Sequence, residues 1–229
     1  VGCCTLIVCA FGMLNSMNYF IKLQFSDLYN FDYKLTLKEN IKTEELKTLI
    51  DKYGNSTSQT LNIEIIKENS RESNTIFVTN AKDLLRFQNE KNEYINIDKN
   101  DGVYVTSKLA ETNNYKIGDT IKWHIYGSNI NYESKIVGFT KDPQTQNLTM
   151  TKEYLESLNI KYEPDSLYTD YDLKNIKEIE NVTLVQDISE LENSMESMLQ
   201  TMKKMILLII VFAILLGVII IYNMGILSY

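Results

Sequence analysis

From Met205 to Ile221 the chain reads MILLIIVFAILLGVIII, seventeen consecutive residues without a polar side chain. Continued through the uncharged residues to Tyr229, this stretch is long enough to cross the roughly 30 Å hydrocarbon core of a bilayer as a helix. The other end is uncharged as well. The first charged residue is Lys22 and the last is Lys204, so all 23 basic and 30 acidic residues of the 229 lie between two apolar ends. A soluble domain does not expose two such ends. The partition therefore reads as a topology, a charged middle held between membrane-embedded segments.

The net charge of -7 excludes the basic stripe that phosphate neutralisation needs, so no nucleic acid partner is expected. The three cysteines, Cys3, Cys4 and Cys9, all lie in the apolar N-terminal stretch, where they read as packing material, and the charged middle has none with which to form a disulfide. Residues 1–14 span only about 20 Å as a helix, short of a bilayer. They are expected to be the outer part of a first transmembrane helix, with residues 205–229 as the second.

Helical periodicity continues out of both apolar ends. Leu14, Met17, Ile21, Phe25 and Leu28 keep a spacing of 3, 4, 4 and 3, which extends the first helix through residues 15–30. On the C-terminal side Ile188, Leu191, Met195, Met198, Met202, Met205 and Ile209 follow a 3, 4, 3, 4, 3, 4 spacing, with Ser189 and Glu192 placed as a capping pair. This reads as an a/d seam over residues 187–204 that runs unbroken into the apolar span and carries it about 25 Å beyond the bilayer. The two extensions predict an antiparallel two-helix stalk. Its transmission seam is Leu14, Met17 and Ile21 on one helix and Ile188, Leu191, Met195, Met198 and Met202 on the other. Methionine at successive seam positions makes an adaptable contact that suits helices which slide or repack.

Between the helices, residues 31–186 predict one α+β domain. Expected strands are Phe31–Leu37, Thr60–Lys67, Thr75–Thr79, Gly102–Val105, Asn147–Met150, Ser166–Thr169 and Val182–Gln186, with a hairpin of Thr120–Tyr126 and Tyr132–Phe139 through Gly127. Helices are expected at Thr43–Tyr53, with Thr43 as its N-cap, at Ser107–Thr112 and at Thr151–Leu158. Residues 80–100 carry no clear pattern.

No catalytic, cofactor-binding or metal-ligating residue is assigned. The sole histidine, His124, has no cysteine or second histidine near it and no recognisable nucleophile, so it reads as structural. The stretch NIDKNDG, residues 96–102, superficially resembles a calcium loop, but Asp101 stands where the glycine is needed and Ser107 where the bidentate glutamate is needed. No Walker lysine motif occurs.

Three stretches taken in order resemble the permease subunits of FtsX-like, MacB-like ABC transporters of the Gram-positive type. GCCTLIVCAFGMLNSM is similar to the outer end of their first membrane helix. DGVYVTSKLAETNNYKIGDTIKWHIYGSNINYESKIVGFTKD is similar to the strand, helix, GD-T-I turn, hairpin and I-V-G strand of their core domain. MLQTMKKMILLIIVFAILLGVIIIYNMGILSY resembles their second membrane helix and its YN-x-G-I ending. The resemblance covers roughly 90 residues, none of them between 32 and 100. It implies a mixed α/β extracellular core domain of the MacB-like periplasmic type, in a multi-pass cell-membrane protein. It also implies a separate ATPase subunit, a second permease subunit, and motion passed outward to peptides, lipoproteins or cell-wall hydrolases. The alternative reading is the extracellular ligand-sensing domain of a two-span receptor.

Overall fold

The computed structural model of the chain describes residues 2–68, 70–80, 84–98, 101–174, 176 and 178–227. In chain order the elements are α1 (Gly2–Ile21), a π-helical segment Lys22–Leu28, β1 (Tyr33–Leu37), α2 (Thr43–Tyr53), β2 (Ser56–Ile66), β3 (Arg71–Thr79), β4 (Phe87–Gln88), β5 (Tyr94–Ile95), β6 (Val103–Thr106) and α3 (Ser107–Asn113). Then come β7 (Thr120–Ile125), β8 (Asn131–Thr140), β9 (Leu148–Thr151), α4 (Lys152–Ser157), β10 (Ser166–Thr169), β11 (Val182–Asp187) and α5 (Ile188–Leu227). Two units form. One is Asp27–Ile188, and the other joins the segments before and after it.

In the unit Asp27–Ile188, hydrogen-bonded neighbours run β2-β3-β9-β6-β8-β7 and return to β2, so six strands close into a barrel. The pairs β3–β9 and β6–β8 are parallel and the other four antiparallel. Alternation fills the interior. Ile63 and Ile65, Ile76 and Val78, Val103 and Val105, Ile121 and Trp123, Ile136, and Leu148 and Met150 all belong to one buried cluster, joined by Leu109 and Ala110 of α3 and Tyr154 and Leu155 of α4. Trp123 donates to the buried Ser134 Oγ at 3.0 Å and stacks on Tyr132, which satisfies its indole N–H inside an apolar barrel.

β2 closes the barrel and also extends it. Its residues Ser56–Ser58 pair with β10 while Ile63–Ile66, on the same edge, pair with β7. The stretch between would leave main-chain groups unpaired, and the neighbouring loops fill it. Thr60 N–H donates to Asp165 Oδ2 at 2.6 Å, and Asn62 C=O accepts from Tyr126 N–H at 2.9 Å. Beyond β10 the sheet continues through β1 to β11. Tyr33, Leu35 and Leu37 of β1 and Leu167 of β10 form a second core with Leu49 and Tyr53 of α2.

Most expected elements form within a few residues of their expected ends. Two caps differ. Thr43 is the first helical residue of α2, and the capping position is Lys42, which makes no side-chain cap bond. α5 begins at Ile188, directly after β11 ends, so Ser189 is its second residue rather than the one before its first. The capping bond of this kind falls instead at Thr151, whose hydroxyl accepts from Tyr154 N–H at 3.1 Å at the start of α4. The unpatterned stretch 80–100 holds the two-stranded β4–β5 hairpin.

In the other unit, α5 has 40 residues, about 60 Å at 1.5 Å per residue. Among the described residues it is the one helix long and apolar enough to cross a membrane, with a mean hydropathy of 3.3 over its most apolar window. Of the three cysteines, Cys9 is exposed on α1 rather than packed, and the side chains of Cys3 and Cys4 lie outside the described residues.

Candidate functional site

The residues of the expected transmission seam differ in exposure. On α5 the covered face runs through Ile188, Leu191, Met195, Leu199, Met202, Ile206 and Ala213. Met198 is 58% exposed, while its neighbour Leu199 is 4% exposed. Met205 and Ile209, further along the expected seam, are exposed too. The cause is the pitch of a straight helix. At 3.6 residues per turn a strict 3.5-residue seam drifts about 20° per heptad unless the helix supercoils. The steps 188 to 199 and 195 to 206 instead follow the eleven-residue spacing of a helix without left-handed coiling.

On α1, Leu14 and Met17 are half-buried and Ile21 is buried. The helix then widens into its π-helical segment, where Leu23, Gln24 and Phe25 are each buried. The Gln24 side-chain oxygen is buried with no partner among the described residues. Ile21 and Leu199 line one groove of about 270 Å³. Its other lining residues are polar, among them Lys22, Glu192, Glu196 and Lys203.

Within the unit Asp27–Ile188, His124 sits at the barrel closure. It is the register partner of Glu64 across β2–β7, and its Nε2 lies 3.0 Å from Glu64 Oε2, which also has Arg71 Nη1 at 3.4 Å. The imidazole is almost fully buried on the face opposite Trp123, its Nδ1 lies 3.1 Å from Ile125 O, and its Nε2 makes no hydrogen bond among the described residues.

A larger groove, about 960 Å³, opens where the parallel strands β3 and β9 end. Thr79 and Thr151, register partners at those carboxyl ends, lie at its base. One wall is the β4–β5 hairpin with the residues on either side of it. Phe87, Tyr94 and Ile95 line the groove, the Arg86 guanidinium lies 5.8 Å from the centre of the Tyr94 ring, and the chain continues without regular structure through Asn96, Ile97 and Asp98, which also line it. Glu153, in the first turn of α4, stands on the rim.

This wall is held at several points. Asn92 takes a positive φ of 63° at the tip, and the Asn89 side chain bonds Lys91 N–H, Glu93 N–H and the Glu93 carboxylate. Lys141 reaches the hairpin through its N–H to Gln88 C=O at 2.7 Å and its Nζ to Asn92 Oδ1 at 2.6 Å. At the base, Arg86 N–H donates to Leu28 C=O at 2.9 Å and Asn30 N–H to Leu84 C=O at 3.0 Å. Periodicity could not reveal this site, because strands of two residues show no alternation. Its only sequence signal is the density of Asn.

No family model matches the chain, and no curated protein matches it. Among solved structures it is similar to the extracellular domain of the noncanonic ABC-type transporter YknZ from Gram-positive bacteria. The identity is 11%, with 73% of this chain and 95% of that chain covered and a TM-score of 0.44. It is also similar to a domain of a protein described as a permease, from Porphyromonas gingivalis, at 13% identity, with 63% of this chain and 76% of that chain covered and a TM-score of 0.35. Both likenesses are distant, so the functional reading below stands on this chain's own residues.

Proposed function

We propose that the chain is the outer domain, with parts of the adjoining membrane helices, of a permease subunit in a MacB-like, FtsX-like ABC transporter. Its task is mechanical. ATP hydrolysis in a separate subunit moves the membrane helices, and an antiparallel stalk of α1 with its π-helical extension and α5 passes that motion to the barrel domain, which acts on peptides, lipoproteins or cell-wall partners. The ordered motifs of the sequence support this reading, and one structural observation carries it. α5 begins at the residue after the last strand of the sheet and continues for 40 residues into the apolar span, with no loop between strand and helix. Proline is absent from it, and of its glycines Gly217 lies within the apolar run and Gly225 beyond it. A continuous helix transmits displacement that a flexible linker would absorb.

The test is purification of the full-length protein from its native membrane. A transporter subunit comes out with an ATP-hydrolysing partner and a second permease subunit. Recovery with a kinase-type or other signalling partner, and without an ATPase, would instead establish the two-span receptor.

A further inference from the structure

We infer that the groove at the ends of β3 and β9 binds a peptide in extended conformation, laid along the open edge that continues β5. The inference gives the peptide branch of the proposed function a site and rests on that reading for its purpose, but binding itself needs no ATPase.

Four observations carry it. The volume of about 960 Å³ stands near the top of the roughly 300–1,000 Å³ usual for ligand pockets, more than a single amino acid would occupy. β5 ends at Ile95 and pairs on one side only, with β4, and among the described residues no hydrogen bond engages the main chain of Ile97 or Asp98 just beyond it. The unpaired side of β5 offers the edge groups to which a peptide adds as a further strand. Around them apolar Phe87, Ile95 and Ile97 mix with the amides of Asn30, Asn80 and Asn96, a lining suited to side chains and peptide groups together.

Charge narrows the ligand class. Arg86 is exposed in the groove and, among the described residues, has no ion-pair partner within 4.0 Å. Asp98 and Glu153 supply two carboxylates. A phosphate-bearing ligand would meet a net negative lining, and a lipid tail would set hydrocarbon against charged and amide groups. A peptide with free termini matches both signs, its carboxylate on Arg86 and its amine near the acidic pair. The wall is anchored within its own unit, where Leu84–Arg86 is hydrogen-bonded to Leu28 and Asn30.

The experiment uses the full-length protein in nanodiscs and a synthetic pool of random octapeptides of L-residues with free termini. Retained peptides are identified by mass spectrometry, and the best is labelled and titrated by fluorescence anisotropy. We expect saturable binding that weakens at least tenfold in Arg86→Glu, in Glu153→Lys and with the C-terminally amidated peptide. A peptide N-methylated at alternate residues should not bind. Both substituted side chains are exposed, and unchanged Trp123 fluorescence confirms folding. Hydrogen exchange in residues 84–95 should slow when peptide binds. The inference is overturned if no peptide is retained, if both variants bind as the parent does, or if the N-methylated peptide binds equally well. The same preparation is scored for a co-purifying ATPase. An ATPase without peptide binding sinks this inference alone, and peptide binding without an ATPase sinks the permease reading alone.

Discussion

Leu199 and Met198 are adjacent on α5, yet the eleven-residue face and the heptad seam assign them opposite roles. Leu199 is 4% exposed and Met198 is 58% exposed. Truncating a buried leucine to alanine costs about 2–5 kcal/mol, depending on how far the site collapses. A helix bordering an open groove of about 270 Å³ can relax, which places Leu199→Ala near the low end, about 2–3 kcal/mol. Met198→Ala removes a largely solvated side chain and should stay within about 0.5 kcal/mol. Hydrogen exchange of the full-length protein in nanodiscs, followed by mass spectrometry of peptides covering residues 189–204, reads local opening directly. At about 1.4 kcal/mol per tenfold change, Leu199→Ala should speed exchange there by roughly 30-fold or more, and Met198→Ala by no more than about threefold. If Met198→Ala were the more damaging, or the two were equal, the helices would be joined through the heptad seam and the register drawn from burial would be wrong.

Three further outcomes follow from the barrel and the helix. Gly102→Ala should destabilise the domain by about 1–3 kcal/mol in thermal unfolding, because the added Cβ would lie 2.2 Å from the Lys135 carbonyl oxygen, where β6 approaches β8; an unchanged melting temperature would count against that approach. Burial pushes the phenols of Tyr168, hydrogen-bonded to Ser58 Oγ, and Tyr162, which donates to Thr57 Oγ1, well above the ordinary tyrosine range. The folded state then holds protons that the unfolded state loses above about pH 10, so the stability they contribute is complete below that pH and falls as pH rises further. Absorbance titration should show these phenols ionising only on unfolding. Met198→Pro should keep ATP hydrolysis in the complex and abolish transport, since proline removes a helix hydrogen bond and clashes with the preceding turn; transport at the parental rate would show that the helix transmits nothing.

Where structure depends on neighbours in the chain, the sequence was readable. α2 spans Thr43–Tyr53 as the spacing implies, and the β7–β8 hairpin turns at Gly127 with a φ of 81°. The barrel was hidden, because β2 uses one edge twice and the parallel pairs β3–β9 and β6–β8 join distant segments, neither of which leaves a local trace. Along α5, Ile188, Leu191, Met195 and Met202 are covered and Met198 is exposed, and a strict 3.5-residue spacing drifts around a straight helix. The abundance of Asn also has a structural use that composition could not locate. Every non-glycine residue described with positive φ, at 40, 92, 114, 159 and 181, is an asparagine. One of these turns, at Asn92, shapes the wall of the large groove.

The mechanical role is tested most directly by whether ATP moves the outer domain through α5. Spin labels at the exposed Tyr126 of two permease subunits, in the complex purified with its ATPase, report that motion as a distance distribution. The proposed mechanism predicts a shift on ATP turnover that disappears in Met198→Pro while hydrolysis continues. A distribution unmoved by ATP in the parent complex, or moved equally in the proline variant, would contradict it.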